Sequence, residues 1–108
     1  MRTLKFNVKG QVLTIDPSCD LSGLVPGTEG YLQAEFNFSN DWAGTSKTVQ
    51  FFRGYGGYAK ATLKDGKSCM IPASAAKGRK FDIRVVGEKR GSTLITNKIT
   101  VVQDGGVV

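Results

Sequence analysis

Tyr31-Leu32-Gln33-Ala34-Glu35-Phe36-Asn37-Phe38 decides the fold. In an extended chain Leu32, Ala34, Phe36 and Phe38 fall on one side, and Gln33, Glu35 and Asn37 on the other. A helix would scatter the same apolar residues around its circumference. The stretch therefore reads as a half-buried strand. Asn40-Asp41 ends it. The single tryptophan, Trp42, follows at once and is read as a core plug rather than a surface ring for nucleic acid or sugar.

Outward from this strand, period-2 patterning continues in both directions. Toward the N-terminus, Leu4–Val8 and Gln11–Ile15 alternate bulk with polarity around Lys9-Gly10 and predict a hairpin. Asp16-Pro17-Ser18 stops the second strand, since proline cannot donate to a ladder. Residues 17–29 read as a long connection tacked onto the core by Leu21, Leu24 and Val25. Toward the C-terminus come strands at Thr48–Arg53, Tyr58–Leu63 and Ser68–Ile71, then Phe81–Val86 and Leu94–Val102. Gly54–Gly57 reads as a flexible loop, Asp65-Gly66 as a hairpin turn, Ala73–Ala76 as one helical turn, and Gly87–Gly91 as a loop. About eight strands with no convincing helix predict an all-β antiparallel sandwich or small barrel. The chain partitions into one domain, 1–103, and a flexible tail, 104–108. The predicted core holds Leu32, Phe36, Phe38, Trp42, Phe51, Phe81, Ile83, Val85 and Ile99.

Composition narrows the chemistry. At 108 residues the chain is one domain's length, and 40% apolar with 22% charged residues suits a globular protein. No apolar run approaches the roughly 18 residues of a membrane span, and Met1–Val8 lacks the apolar core of a signal peptide. Synthesis in a cytoplasm is expected. Histidine is absent, which removes His-based triads and His-ligated zinc. Cys19 and Cys69 stand 50 positions apart and match no metal spacing; in a reducing compartment two buried free thiols are expected. The net charge of +6 is uneven: residues 1–41 carry three basic and five acidic side chains, residues 42–108 the other twelve and four. The basic part could meet nucleic acid, an acidic protein or a membrane surface, or simply solubilise the chain.

Few motifs carry chemistry. Arg53-Gly54-Tyr55-Gly56-Gly57-Tyr58 has the composition of segments that stack on single-stranded nucleic acid, but one copy reads better as a hairpin loop with tyrosines at its base. Lys77-Gly78-Arg79-Lys80 and Glu88-Lys89-Arg90 are basic clusters flanking one strand. At about 3.3 Å per residue they should form two patches roughly 20 Å apart. Between them Phe81, Ile83 and Val85 should point inward, and Lys80, Asp82 and Arg84 outward. Asp16, Asp20, Asp41 and Asp65 fall in loops and match no calcium pattern. No catalytic residue, metal or cofactor is expected.

One arrangement resembles a known group. It runs Tyr31-Leu32-x-Ala34-x-Phe36-x-Phe38-Ser39-x-Asp41-Trp42-x-Gly44-x-x-Lys47-Thr48-x-x-Phe51, then Cys69-Met70-Ile71-Pro72, Phe81-x-Ile83-x-Val85-x-Gly87 and Ile95-Thr96-Asn97. It is similar to small structural proteins of bacteriophages and prophages of Gram-positive bacteria, among them tail and baseplate proteins. The start of baseplate upper proteins has related character. The resemblance spans roughly residues 4–102, and Ser-x-Asp-Trp-x-Gly is its most specific part. It implies an Ig-like β-sandwich without enzymatic activity, present in the virion in several copies or as a homo-oligomer. Such a protein would dock onto other phage structural proteins, with Tyr55, Tyr58, Arg79, Lys80, Lys89 and Arg90 as candidate contacts. The sequence lacks the receptor-binding or coiled-coil continuation of baseplate upper proteins, so direct receptor binding is not expected. Two other readings stay open: a phage-encoded inhibitor of a host defence nuclease, and a small basic nucleic-acid-binding barrel.

Overall fold

The computed structural model describes residues 1–53 and 57–103. Tyr55 and the tail 104–108 lie outside the described residues, as does most of the loop expected at 54–57; Gly57 opens a strand. Among the described residues nine strands form two sheets: β1 (Arg2–Lys9), β2 (Val12–Ile15), β3 (Leu32–Phe38), β4 (Ser46–Arg53), β5 (Gly57–Thr62), β6 (Ser68–Met70), β7 (Lys80–Lys89), β8 (Ser92–Ile95) and β9 (Ile99–Val102). Sheet one has the order β2-β1-β3-β6. Sheet two has the order β5-β4-β7-β8, with β9 also on β7. The fold is the expected all-β sandwich. One pair departs from antiparallel: β1 and β3 run parallel from Arg2↔Leu32 to Val8↔Phe38. Antiparallel β2 runs back toward the end where β1 began, and the long connection then carries the chain past β1 to its other side.

The inner faces follow the alternation. Leu4, Phe6, Val8, Leu32, Ala34 and Phe36 meet Val49, Phe51, Phe81, Ile83, Val85 and Val101 in one buried cluster. Phe38 and Ile99 are only half-buried against it. Leu24 and Leu21 anchor the connection as expected, but Val25 is 51% exposed. Residues 72–77 make a turn, with Ala75 N–H and Ala76 N–H donating to Pro72 O, in place of any longer helix.

Trp42 is fully buried at the end of a 3₁₀ turn over Asn40–Trp42. Its indole Nε1–H donates to Gly10 O at 2.7 Å, and Ser39 Oγ accepts from Gly10 N–H at 3.0 Å. Ser39 and Trp42 thus hold the β1–β2 hairpin turn from one side. Gly87 meets Trp42 from the other. A Cβ at Gly87 would lie 2.5 Å from Trp42 Cζ3. The sequence reading put Gly87 in a loop. It lies inside β7, where the ring replaces the missing side chain, so the strand runs on to Lys89.

The expected single strand Leu94–Val102 is two strands. β8 pairs Val86↔Ile95, while β9 pairs Ile83↔Ile99, so the register slips by one residue. This is a β-bulge over Thr96, Asn97 and Lys98. Thr96 makes it: its N–H donates to Val85 O at 3.1 Å, and its Oγ1 accepts from Val85 N–H at 2.9 Å. One threonine therefore satisfies both backbone groups of Val85. Because side chains alternate, a one-residue slip exchanges the two faces. Leu94 and then Ile99 and Val101 all point inward, and Lys98 is released to the outside. Asn97 uses the bulge to join the sheets: its Oδ1 accepts from Leu13 N–H at 2.7 Å and its Nδ2 donates to Leu13 O at 3.2 Å.

Candidate docking face

The outer face of sheet two is built from alternate residues of its five strands and the bulge. Register sets them in rows. Tyr58, Phe52, Asp82 and Thr100 form one row; Lys60, Gln50 and Arg84 form the next; Thr62, Thr48, Val86 and Ile95 form a third. Lys80 stands opposite Val102 at the lower end. Apolar residues are well represented for a face turned to solvent. Tyr58 is 55% exposed, Val102 56% and Ile95 40%.

Phe52 is the centre of this face. Its ring lies 5.6 Å from that of Tyr58. Lys98 Nζ sits 4.0 Å from its centroid, and the Arg84 guanidinium 5.2 Å. Both are cation–π distances. The bulge places Lys98 there, and Arg84 is aimed by a bond from its Nε–H to Gln50 Oε1 at 2.7 Å. Asp82, the carboxylate among these rows, accepts instead from Thr100 Oγ1–H at 2.6 Å. Two cations thus cover an aromatic ring, with Lys60 and Lys80 nearby.

The residues singled out from sequence are dispersed. Tyr58 belongs to this face, and so does Lys80. Arg79 is exposed just before β7. Lys89 and Arg90 lie at the far end of β7. That strand has ten residues, not six, so roughly 30 Å separates the two clusters at about 3.3 Å per residue. Lys89 also has the inward parity of β7, so it does not share the face of Lys80. The outward row Lys80, Asp82, Arg84 holds as read. Phe52 and Lys98 were not singled out: each stands beside apolar residues of the opposite parity, and its role depends on the register of a neighbouring strand.

Other groups arrange themselves structurally. Asp65 caps the β5–β6 turn, accepting from the N–H groups of Lys67 and Ser68 and from Ser68 Oγ–H. Those bonds pull its carboxyl down from 3.8 to about 2. Asp16 and Asp20 are lowered in the same way by the hydroxyl and N–H of Ser18 and the N–H of Ser22. Both thiols are free and half-buried rather than buried. Cys19 Sγ accepts from Lys5 N–H at the outer edge of β1, while Cys69 pairs with Ala34 across β3. Strands β1 and β3 lie between the two sulfurs, roughly 14 Å at about 4.8 Å per strand, beyond any bridge. Burial, then Asp65, pushes the Cys69 thiol up to about 12. Among the described residues no three His, Cys, Asp or Glu side chains gather as a metal site, and no helix is long and apolar enough to cross a membrane.

No protein-family model matches the chain, and neither a curated protein nor a solved structure matches it.

Proposed function

We propose that this chain is a non-enzymatic structural protein of a bacteriophage particle, a tail or baseplate module that works by protein–protein docking. The observation that carries this reading is the outer face of sheet two. It combines Phe52, Tyr58 and Arg84, residue types enriched in protein interfaces, with Lys98 and exposed aliphatic residues. The face is a broad sheet surface built from five strands, which suits a neighbouring subunit better than a small substrate. The resemblance of Phe38-Ser39-Asn40-Asp41-Trp42 and its flanking strands to phage tail proteins points the same way. In that setting the protein would be made in the host cytoplasm and incorporated into the virion in several copies.

Particles purified from a strain that encodes the chain provide the test. Peptides from it should appear in their mass spectrum at a fixed ratio to the other structural proteins. A chain abundant in the lysate but missing from washed particles would overturn the reading.

A further inference from the structure

The two flanks of the sandwich are finished differently. On one, β2 meets the bulge: Asn97 bonds the backbone of Leu13, and Gln11 Nε2–H donates to Ile95 O at 3.1 Å. On the other, β5 and β6 are the edge strands, joined by the turn that Asp65 caps. Among the described residues no strand pairs with the outer edge of either. We infer that the free edge of β5 receives an extended protein segment as an added strand, in which an acidic residue faces Lys60 and its two neighbours in sequence are apolar. The inference goes beyond the docking reading, since it rests on this edge and not on the outer face of sheet two.

Three observations carry it. The first is unpaired backbone. Leu63 N–H donates to Lys47 O at 3.0 Å, and the register runs on from Thr62↔Thr48 to Arg53↔Gly57. Hydrogen-bonded and non-bonded pairs alternate along an antiparallel ladder. Ala59 and Ala61 therefore bond to β4, while the N–H and C=O groups of Tyr58, Lys60 and Thr62 point away from it. They form a row of donors and acceptors open to another strand.

The second is space on the inner side. Val49 and Phe51 on β4 are fully buried, but Ala59 and Ala61, which share their face, are only half-buried. A hollow of about 550 Å³ opens beside Ala61, lined by Cys69 and Met70 of β6 and by Lys64. Another of about 150 Å³ opens beside Ala59, against Phe51 and Ala75. Residues opposite Ala59 and Ala61 on an added strand would point to this inner side, about 6.8 Å apart, so each meets one hollow. The acid at the larger hollow, Asp65, is already engaged by the N–H groups of Lys67 and Ser68. Lysine on an edge strand keeps like edges apart, but that duty does not require empty space beneath the strand.

The third is charge. The residue opposite Lys60 would join the row of Lys60, Gln50 and Arg84 on the outer face. A carboxylate there makes an opposite-charge pair across the new ladder. Two β5 edges meeting antiparallel about Lys60 would instead set ammonium against ammonium, which disfavours a second copy. Because a strand alternates, the acidic residue faces outward beside Lys60 while its apolar neighbours face inward to the hollows.

Labelled synthetic peptides test this directly. An alternating Val-Glu peptide, an alternating Val-Lys peptide and a peptide with the Val-Glu composition arranged in two blocks are titrated by fluorescence anisotropy. Amide exchange is then followed by NMR. The alternating Val-Glu peptide should bind about tenfold tighter than either of the others. On binding, the amides of Tyr58, Lys60 and Thr62 should slow in exchange, while those of Ala59 and Ala61, already bonded to β4, change little. Lys60→Glu should weaken the Val-Glu peptide about tenfold or more and turn the preference toward Val-Lys. Thr62→Pro removes an outward donor that the ladder with β4 does not use, and should weaken binding about fivefold. Should that variant fail to fold, Lys60→Glu carries the test. Lys9→Glu, the same charge change on sheet one, should alter affinity less than about twofold. Equal binding of the three peptides, or binding without the alternating amide protection, would overturn the inference. A dimer of the free chain in sedimentation, with that same protection, would assign the edge to a second copy and overturn it as well. Failure to bind peptide by a chain that is present in particles sinks this inference alone; absence from particles sinks the virion reading and leaves the peptide result standing.

Discussion

The two outer faces of this sandwich answer the same folding problem and look different. Each sheet buries one face in the shared core, so the hydrophobic effect makes the same demand on both. On sheet one the outward residues are Thr3, Lys5, Asn7 and Lys9 on β1, and Gln33, Glu35 and Asn37 on β3. Its exposed apolar residues, Val12 and Met70, lie on opposite edge strands with β1 and β3 between them. On sheet two the aromatics are adjacent, Val86 faces Ile95, and cations surround them. Folding does not require apolar side chains to gather on a solvent face. Gathered apolar residues are characteristic of surfaces that other molecules cover, which supports the proposed docking role of this face. The comparison places stability in the interior common to both sheets.

That division breaks if the sheets do not share one interior, and Trp42 gives the largest test. Trp42→Ala should cost about 3–5 kcal/mol in urea unfolding, with probes on both sheets losing structure together. Sequential melting of the sheets would show that they are separate units. The next test concerns the seam. Asn97→Ala removes two bonds to the backbone of Leu13 and should cost about 1–2 kcal/mol. A negligible change would mean that the Asn97 side chain does not hold the seam, which Gln11 also bridges through Ile95 O and Asn97 N–H.

Smaller effects sharpen the contrast between the faces. Tyr58→Ser and Lys98→Ser should each leave stability within about 0.5 kcal/mol, as surface changes do. A loss of several times that would make this face part of the folding core. The smallest effect is expected from pH. The carboxyls of Asp16, Asp20 and Asp65 are lowered, so their contribution is fully present above the unfolded value near 3.8. It is lost as pH falls through the folded values, about 2 for Asp65. Melting temperature should decline over that interval, and Asp65→Asn should flatten the decline. An unchanged acid limb would remove Asp65 from the account.

Local alternation determined most of this architecture. Phe36 on β3, Phe51 on β4 and Ile83 on β7 declare their faces through their immediate neighbours, because a strand repeats every two residues. The glycine at 10, the Asp65-Gly66 pair and Pro72 marked chain reversals and strand ends for equally local reasons. Two positions misled. Gly87 has the composition of a loop but lies in a strand under Trp42, a residue 45 positions away in the sequence. Leu94–Val102 reads as one apolar strand, although its apolar residues change parity between Leu94 and Ile99. That change is the imprint of the bulge, and only Thr96 bonding to Val85 gives it a structural meaning.

What the sequence by itself determined was an all-β chain, its inward residues and its basic C-terminal two-thirds. Alternation, turn chemistry and charge are properties of neighbouring residues and need no fold to be read. Only the tertiary structure decided that β1 and β3 run parallel, that β7 runs through Gly87 to ten residues, and that Lys98 covers Phe52. Those facts depend on which strands pair and in what register. Register is settled by side chains far apart in the chain packing into one interior, and a slip of one residue there turns Lys98 from the core to the face.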